Sequence, residues 1–426
     1  MIVRDALDNG IRLVTESMSH VRSVSLGVWL TRGSRHESDP EAGIAHFVEH
    51  MLFKGTASRT AEEIAQAVDS IGGQLDAFTA KEYASYYVKV LDQHLPLAVD
   101  ILSDIVLRPA FHEVDIDREK KVVLEEIKMV EDTPDDLVHE LFTQSFWEGH
   151  PLGRPILGTK ETVESLTQRK LRDHFGGAYV AQNLIISAAG NLEHGWVRDA
   201  LEKAFNEMPS AGPDAAIVPP TVVPKILIRG KDLEQSHVCV GVSSYPQHHD
   251  DRYASYVLNT MLGGSMSSRL FQNIREKRGL AYSVFSGLNA YRDAGALTIY
   301  AGCANDAVGD VIDLIVGELR TIKQSEVPDT ELRRAKDHLK GSVMLSLENT
   351  ASRMSHLARQ EIYFDRQFSL DETLEGIERV TPGDARRVAR DLFSDGALTA
   401  AVLGQVNGLR ISRERLSLNH SPVTVD

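Results

Sequence analysis

The run "GIAHFVEHMLFKGT", residues 43–56, sets two histidines and a glutamate inside an otherwise apolar stretch. Polar groups placed this way are costly to bury unless something pairs with them. Taken as a helix at about 100° per residue from His46, Glu49 falls at about 300° and His50 at about 40°. The three therefore share one face. Ile44, Phe47, Val48, Met51 and Leu52 fill the rest of the circumference, which predicts a buried helix carrying a polar stripe. Two imidazoles one turn apart can hold one zinc ion, and a carboxylate between them can take a proton from a water that the metal has acidified. The order HxxEH is the reverse of HExxH.

A third ligand is expected in "DREKKVVLEEIKMVEDTPDDLVHELF", residues 117–142, which reads as strongly helical. With Glu119 at zero, Val122 lies at about 300°, Glu126 at about 340°, Val130 at about 20° and Val123 at about 40°. Glu125, at about 240°, faces away with the lysines. Glu119 and Glu126 thus sit within the apolar face and need a cation or donors nearby. Glu126 is the expected third ligand. Glu119 fits a supporting role, accepting a hydrogen bond from a ligand histidine or from the catalytic water, against the alternative of a solvated helix acid.

Composition limits the remaining possibilities. A chain of 426 residues suggests two or more domains, and 42% hydrophobic residues suit a globular protein. The net charge of -15 argues against nucleic acid and favours cationic partners such as basic peptides. Cys239 and Cys303 form no CxxC, so neither a disulfide framework nor a thiolate metal site is expected. No run reaches membrane-spanning length, and the charged start "MIVRDALDNGIRLVTESM" has no signal-peptide core, so a cytoplasmic chain with no membrane partner is expected.

The order of elements predicts an internal duplication. Strand-like runs "SVSLGVWL" and "SHVCVGVSSY" are each followed by a helix ending in Met-Leu, at Met51-Leu52 and Met261-Leu262. Each half closes on a helix and a buried strand, "SLTQRKLRDHF" with "NLIISAAGNL" and "RVTPGDARRVARDLF" with "ALTAAVLGQV", about 214 residues apart. The expected class is α+β: two similar α/β domains, each a sheet packed with helices. Residues 1–208 form the zinc-binding catalytic domain, 209–226 a Pro-rich linker and 227–426 a metal-free homologous domain. In the second half Tyr256, Asn259 and Thr260 take the places of His46, Glu49 and His50, so only the first half can hold the site.

HxxEH followed by a glutamate in "VLEEI", framed by "SRHE" and accompanied by "GGQLDAFTAKEYASYYVKVL" and "GGSMSSRLFQNIREKRGLAYSV", resembles the pitrilysin and mitochondrial-processing-peptidase family of zinc endopeptidases. The likeness spans the chain and is greatest to the family's short bacterial members. It implies that each chain is half of a clamshell, two chains enclosing a peptide chamber, as a homodimer or as a heterodimer with a related chain. It also implies one zinc per chain held by His46, His50 and Glu126, with Glu49 as general base and Glu119 as the additional glutamate. Arg275 and Tyr282, in "REKRGLAY", match a pair that reaches substrate from the opposite half of the clamshell, which implies action in trans. "DAFTAKEYASYY" resembles the edge strand to which a peptide adds around Ala77 and Phe78. Asp76 departs from the asparagine common there. Asp136 and Glu140 match acidic positions that receive an arginine near the cleavage point in the processing peptidases. The implied activity is zinc-dependent hydrolysis of short or unfolded peptides. The alternative is a non-catalytic core or assembly subunit, whose mark would be eroded zinc ligands.

Overall fold

The computed structural model describes residues 1–213, 217–406 and 408–419. Residues 214–216 of the expected linker, and 407 and 420–426 of the expected second domain, lie outside them.

The first half runs β1 (Ile2–Ala6), β2 (Arg12–Ser17), β3 (Ser23–Leu30), α1 (Ile44–Leu52), α2 (Ala61–Asp69), β4 (Gln74–Thr79) and β5 (Ala84–Leu91). It continues through α3 (Leu95–Leu107), α4 (Glu113–Asp132), α5 (Pro134–Phe146), α6 (Lys160–Glu164), α7 (Gln168–Ala178), β6 (Leu184–Gly190) and α8 (His194–Phe205). The second half comprises β7 (Ile226–Gly230), β8 (Gln235–Ser244), α9 (Arg252–Leu262), β9 (Ala281–Ala290), β10 (Gly295–Ala304) and α10 (Val308–Gln324). It ends with α11 (Asp329–Ser346), α12 (Thr350–Phe364), α13 (Leu370–Glu378), α14 (Pro382–Leu392) and β11 (Thr399–Gly404).

Among the described residues the strands form two sheets, ordered β1-β2-β6-β3-β5-β4 and β7-β11-β8-β10-β9. β2 pairs parallel with β6, as β7 does with β11, and every other pairing is antiparallel. With β1 set aside, the two sheets agree strand for strand in order and direction, which is the expected duplication. β4 and β9 occupy equivalent open edges.

The two repeats do not pack as two consecutive stretches of chain. One compact unit comprises residues 1–129, 154–218 and 345–367; the other comprises 130–153, 219–344 and 368–426. Helix α5 of the first half lies on β11, β8 and β7, and α12 of the second half lies on β6, β3 and β2. Each unit therefore takes in chain from both sides of residues 209–226. The reason is that each sheet has two apolar faces. One face of each builds a large core with that repeat's own helices. The other presents Val14, Trp29, Ile185 and Ala189 in the first sheet, and Cys239, Tyr300, Ala401 and Leu403 in the second. Strand periodicity predicts that those faces are covered without saying by which helix.

Glycines admit the exchanged helices. A Cβ on Gly27 would stand 2.5 Å from Met354 Sδ, and one on Gly241 would stand 2.6 Å from Phe142 Cζ. Polar ties fasten α12 in the first unit: Arg4 Nε and Nη2 donate to Glu361 at 2.7 and 2.9 Å, and Arg353 Nη1 donates to Glu16 at 3.0 Å.

The segment 117–142 is not one helix. It breaks at Thr133, whose extended backbone (φ -101°, ψ 101°) precedes Pro134 at the first turn of α5. A residue before proline is pushed out of the helical region by the ring, and proline itself suits a helix start. Val122 is exposed, a second departure, whereas Ile116, Glu119 and Val123 are buried. The buried stripe of α4 therefore lies to one side of the face expected from a mean helical repeat.

Candidate metal centre and active site

Helix α1 starts where its sequence provides for it. Gly43 has φ 93° at the N-cap, and a Cβ there would stand 2.6 Å from the Leu157 carbonyl oxygen, so glycine is required twice over. The buried Glu37 carboxylate accepts from the Gly43 and Ala45 amides, each at 2.8 Å, capping the helix through a residue outside it. Burial pushes Glu37 up to about 7, against the pull of those two N–H donors. Next to it, Arg35 and Glu82 form a buried ion pair at 2.7 Å that ties the approach to α1 to the β4–β5 turn. Ile44, Phe47, Val48, Met51 and Leu52 are all buried, as the pattern predicts.

The polar stripe of α1 meets α4. His46 Nε2 lies 3.7 Å and His50 Nε2 lies 3.6 Å from Glu126 Oε2, and the three donor atoms all fall within 4.8 Å of one another. Donors held about 2.0–2.2 Å from one zinc at tetrahedral angles stand about 3.3–3.6 Å apart, so each histidine already stands close to zinc-sharing distance from Glu126, and two imidazoles with one carboxylate are a donor set that suits zinc. Burial, and then the neighbouring His50, push His46 down to about 3, which leaves its ring neutral with a lone pair to give. Behind the cluster, His50 Nδ1 lies 3.1 Å from Glu119 Oε2, and Lys54 Nζ lies 2.8 Å from Glu119 Oε1. Glu119 is buried, whereas the Glu125 side chain is 72% exposed and pairs with Lys128.

Glu49 sits beside the cluster and accepts a 2.5 Å hydrogen bond from Thr79 Oγ1 on β4. Burial raises its pKa, and the Thr79 bond opposes the rise. The donor therefore links the α1 carboxylate to the open edge of the first sheet. On that edge, Asp76 accepts from the Ala77 amide at 2.8 Å and from the Tyr87 hydroxyl at 3.1 Å. Phe78 is 38% exposed and packs edge-on against Trp29.

His46, Glu49, His50, Glu119, Glu126 and the strand Asp76–Ala77–Phe78 thus come together in the first unit. Arg275, Tyr282, Asp136 and Glu140 belong to the second. There, Arg275 lies in a short π-helical turn, Phe271–Glu276, and its guanidinium lies 5.0 Å from the Tyr282 ring centre and 4.7 Å from that of Phe271. Tyr282 is 78% exposed on β9, so it is not a core tyrosine. Asp136 and Glu140 are one turn apart on α5, the first exposed and the second half-buried. Sequence reasoning missed Glu37, Lys54, Thr79 and the Arg35–Glu82 pair. Only Lys54 left a signal, since it continues the stripe one turn beyond His50.

Comparison with known proteins agrees with this geometry. Residues 12–160 match the family described as insulinase (peptidase family M16), and residues 165–339 match the peptidase M16 inactive domain. An uncharacterized zinc protease of Bacillus subtilis, YmxG, is 42% identical over 402 residues, spanning 94% of this chain and 98% of its own. Another from Streptomyces coelicolor is 40% identical over 418 residues, spanning 96% and 91%. Among solved structures, a protease from Helicobacter pylori shares the fold with a TM-score of 0.87 at 22% identity, over 95% of this chain and 99% of its own. A peptidase M16 inactive domain from Pseudomonas fluorescens has a TM-score of 0.89 at 19% identity, over 95% and 98%. With relatives at this identity matched along nearly their whole length, the chain belongs to peptidase family M16.

Proposed function

We propose that this chain is a zinc-dependent endopeptidase acting on short or unfolded peptides. The observation that carries the reading is the convergence of His46 Nε2, His50 Nε2 and Glu126 Oε2 beside a Glu49 carboxylate that is held from the sheet edge by Thr79. His46, His50 and Glu126 would hold the zinc, three protein donors leaving a position open. When bound, zinc supplies Lewis acidity, polarising the scissile carbonyl and lowering the pKa of a water. Glu49 takes the proton as the water oxygen attacks the carbonyl carbon, then delivers it to the amine nitrogen as the C–N bond breaks. Thr79 keeps that carboxylate on the side where the substrate strand lies.

Substrate is proposed to add to the open edge of β4 around Ala77 and Phe78 by main-chain pairing, which demands an extended chain and so excludes folded proteins. To pair with the Ala77 amide it must draw that N–H away from Asp76. Arg275 and Tyr282 are proposed to hold the scissile peptide and its developing oxyanion, serving the zinc site of a partner chain in a homodimer or in a pair with a related chain. Asp136 and Glu140 would favour a basic residue near the cleavage point. The two free and buried thiols, Cys239 and Cys303, suit a reducing cytoplasmic setting. The complete ligand set counts against a non-catalytic subunit.

Digestion of a peptide mixture by the purified protein, followed by mass spectrometry with and without a chelator, tests the reading. Cleavage should stop with the chelator and return with zinc. Cleavage that ignores the chelator, or zinc-loaded protein that cleaves nothing, would overturn it.

A further inference from the structure

The two histidines of the cluster are supported unequally. His46 Nδ1 is buried and has no hydrogen-bond partner among the described residues. His50 Nδ1 instead faces Glu119 Oε2 at 3.1 Å, and the other oxygen of that carboxylate lies 2.8 Å from Lys54 Nζ. Glu119 is only 5% exposed, so water cannot readily stand in for either partner.

We propose that Lys54 is a positioning residue of the metal centre: its ammonium fixes Glu119, and Glu119 fixes the His50 ring with Nε2 toward Glu126. The inference rests on the zinc reading above and adds to it a residue that acts on the three ligand side chains only through Glu119. A carboxylate that accepts from a histidine Nδ1–H selects the tautomer whose Nε2 lone pair is free for metal. That selection holds only while the carboxylate keeps its orientation. Lys54 lies two residues past the end of α1, one helical turn from His50, so the backbone that carries the ligand also carries the clamp. Lys54 holds Oε1, which leaves Oε2 directed at His50. Without Lys54, Oε1 has no partner among the described residues, and the buried carboxylate gains one only by turning, which swings Oε2 off the ring. Because His46 has no equivalent support, the orientation of the donor set depends on this single branch.

The test is a zinc-affinity cycle on the full chain, read by competition with a chromophoric chelator, together with the melting temperature of the metal-free protein. Lys54→Met, which keeps the stem and removes the charge, should weaken zinc binding by roughly 10- to 100-fold, as loss of an outer partner does. Its metal-free melting temperature should fall as well, because a buried carboxylate is left short of a partner, so the affinity cycle in the Glu119→Gln background is what separates positioning from stability. In a Glu119→Gln background the same change should cost no further affinity, because the residue that transmits it is already altered. If Lys54→Met does not fold, Lys54→Gln replaces it with the same expectations. Wild-type affinity in the variant, or losses that multiply in the double variant, would overturn the role of Lys54 while leaving the zinc site standing. A wild-type chain that binds no zinc would overturn the metal reading and this inference with it.

Discussion

The first and second units carry the same sheet, and α1 and α9 hold equivalent places behind it, yet only one of the two helices collects donors. Where α1 has His46, Glu49 and His50, α9 has Tyr256, Asn259 and Thr260. Each of the α9 groups is satisfied close by. Asn259 Oδ1 accepts from Ser286 Oγ at 2.7 Å, Thr260 Oγ1 donates to the Tyr256 carbonyl at 2.9 Å, and the Tyr256 hydroxyl accepts from Gln247 at 3.2 Å. Counted from their first residues, α4 and α11 differ likewise: Ala335 and Ser342 stand where α4 has Glu119 and Glu126. One feature is common to both units, a hydroxyl on the edge strand donating to the middle polar residue of the helix, Thr79 to Glu49 and Ser286 to Asn259. The fold thus supplies a helix tied to an open strand in both places. Among the described residues only the first unit gathers a His46–His50–Glu126 donor cluster, on α1 and α4.

The comparison can be broken most severely at the middle position. Glu49→Gln gives α1 an amide, as in α9, and should lower turnover by roughly 10²- to 10⁴-fold, the range that a positioned base contributes. Zinc content should remain that of the wild type. Peptide cleavage at near wild-type rate would show that the base is another group.

Glu126→Ser copies the α11 residue into α4 and removes a ligand outright. Zinc affinity should fall by at least the ~100-fold seen for loss of an outer partner, with the metal-free fold unchanged. Equilibrium dialysis at low zinc measures this, and full occupancy would point instead to Glu125.

A third experiment asks what the second unit gives in exchange. His46→Ala and Tyr282→Phe preparations should each be weak alone. If exchanged at equal amounts, half the dimers are mixed and hold one complete site of two, giving about 25% of wild-type activity in a twofold assembly. With exchange verified by native mass spectrometry, activity equal to the sum of the separate preparations would rule out action in trans.

The smallest effect concerns the exchanged helices. Gly241→Ala places a methyl 2.7 Å from the Leu297 carbonyl oxygen, a backbone atom that cannot step aside, and should cost about 1–3 kcal/mol. Gly27→Ala presses on the end of the flexible Met354 side chain and on Trp29 Nε1 at 2.9 Å, with no backbone atom among those contacts, and should cost about 1 kcal/mol. Urea midpoints would rank the two, and a larger loss at Gly27 would mean that α12 is held more rigidly than α5.

Much of this was legible along the chain. The 3.6-residue repeat places His46, Glu49 and His50 on one face whatever else the fold does, because a helix fixes the angle between neighbours within a few residues. The same short-range rule separates Glu126 from Glu125, and the recurrence of strand, helix and strand discloses the duplication. It failed in detail at Val122 and at Thr133, where a proline broke a helix that composition alone would have continued.

The remainder was decided by contacts between residues far apart in sequence. Thr79 reaches Glu49, Glu119 reaches His50 and Glu37 caps α1 only because β4, α4 and the loop before α1 are packed together, and no local periodicity encodes such a meeting. The crossing of α5 and α12 is of the same kind. An apolar strand face declares that it must be buried, but burial is non-directional, so any helix with a matching stripe would serve. Short-range helix and strand geometry thus carries the His46–Glu49–His50 stripe, the Glu119–Glu126 face and the repeat, whereas packing between distant segments sets which side chains brace that stripe and which helix closes each sheet.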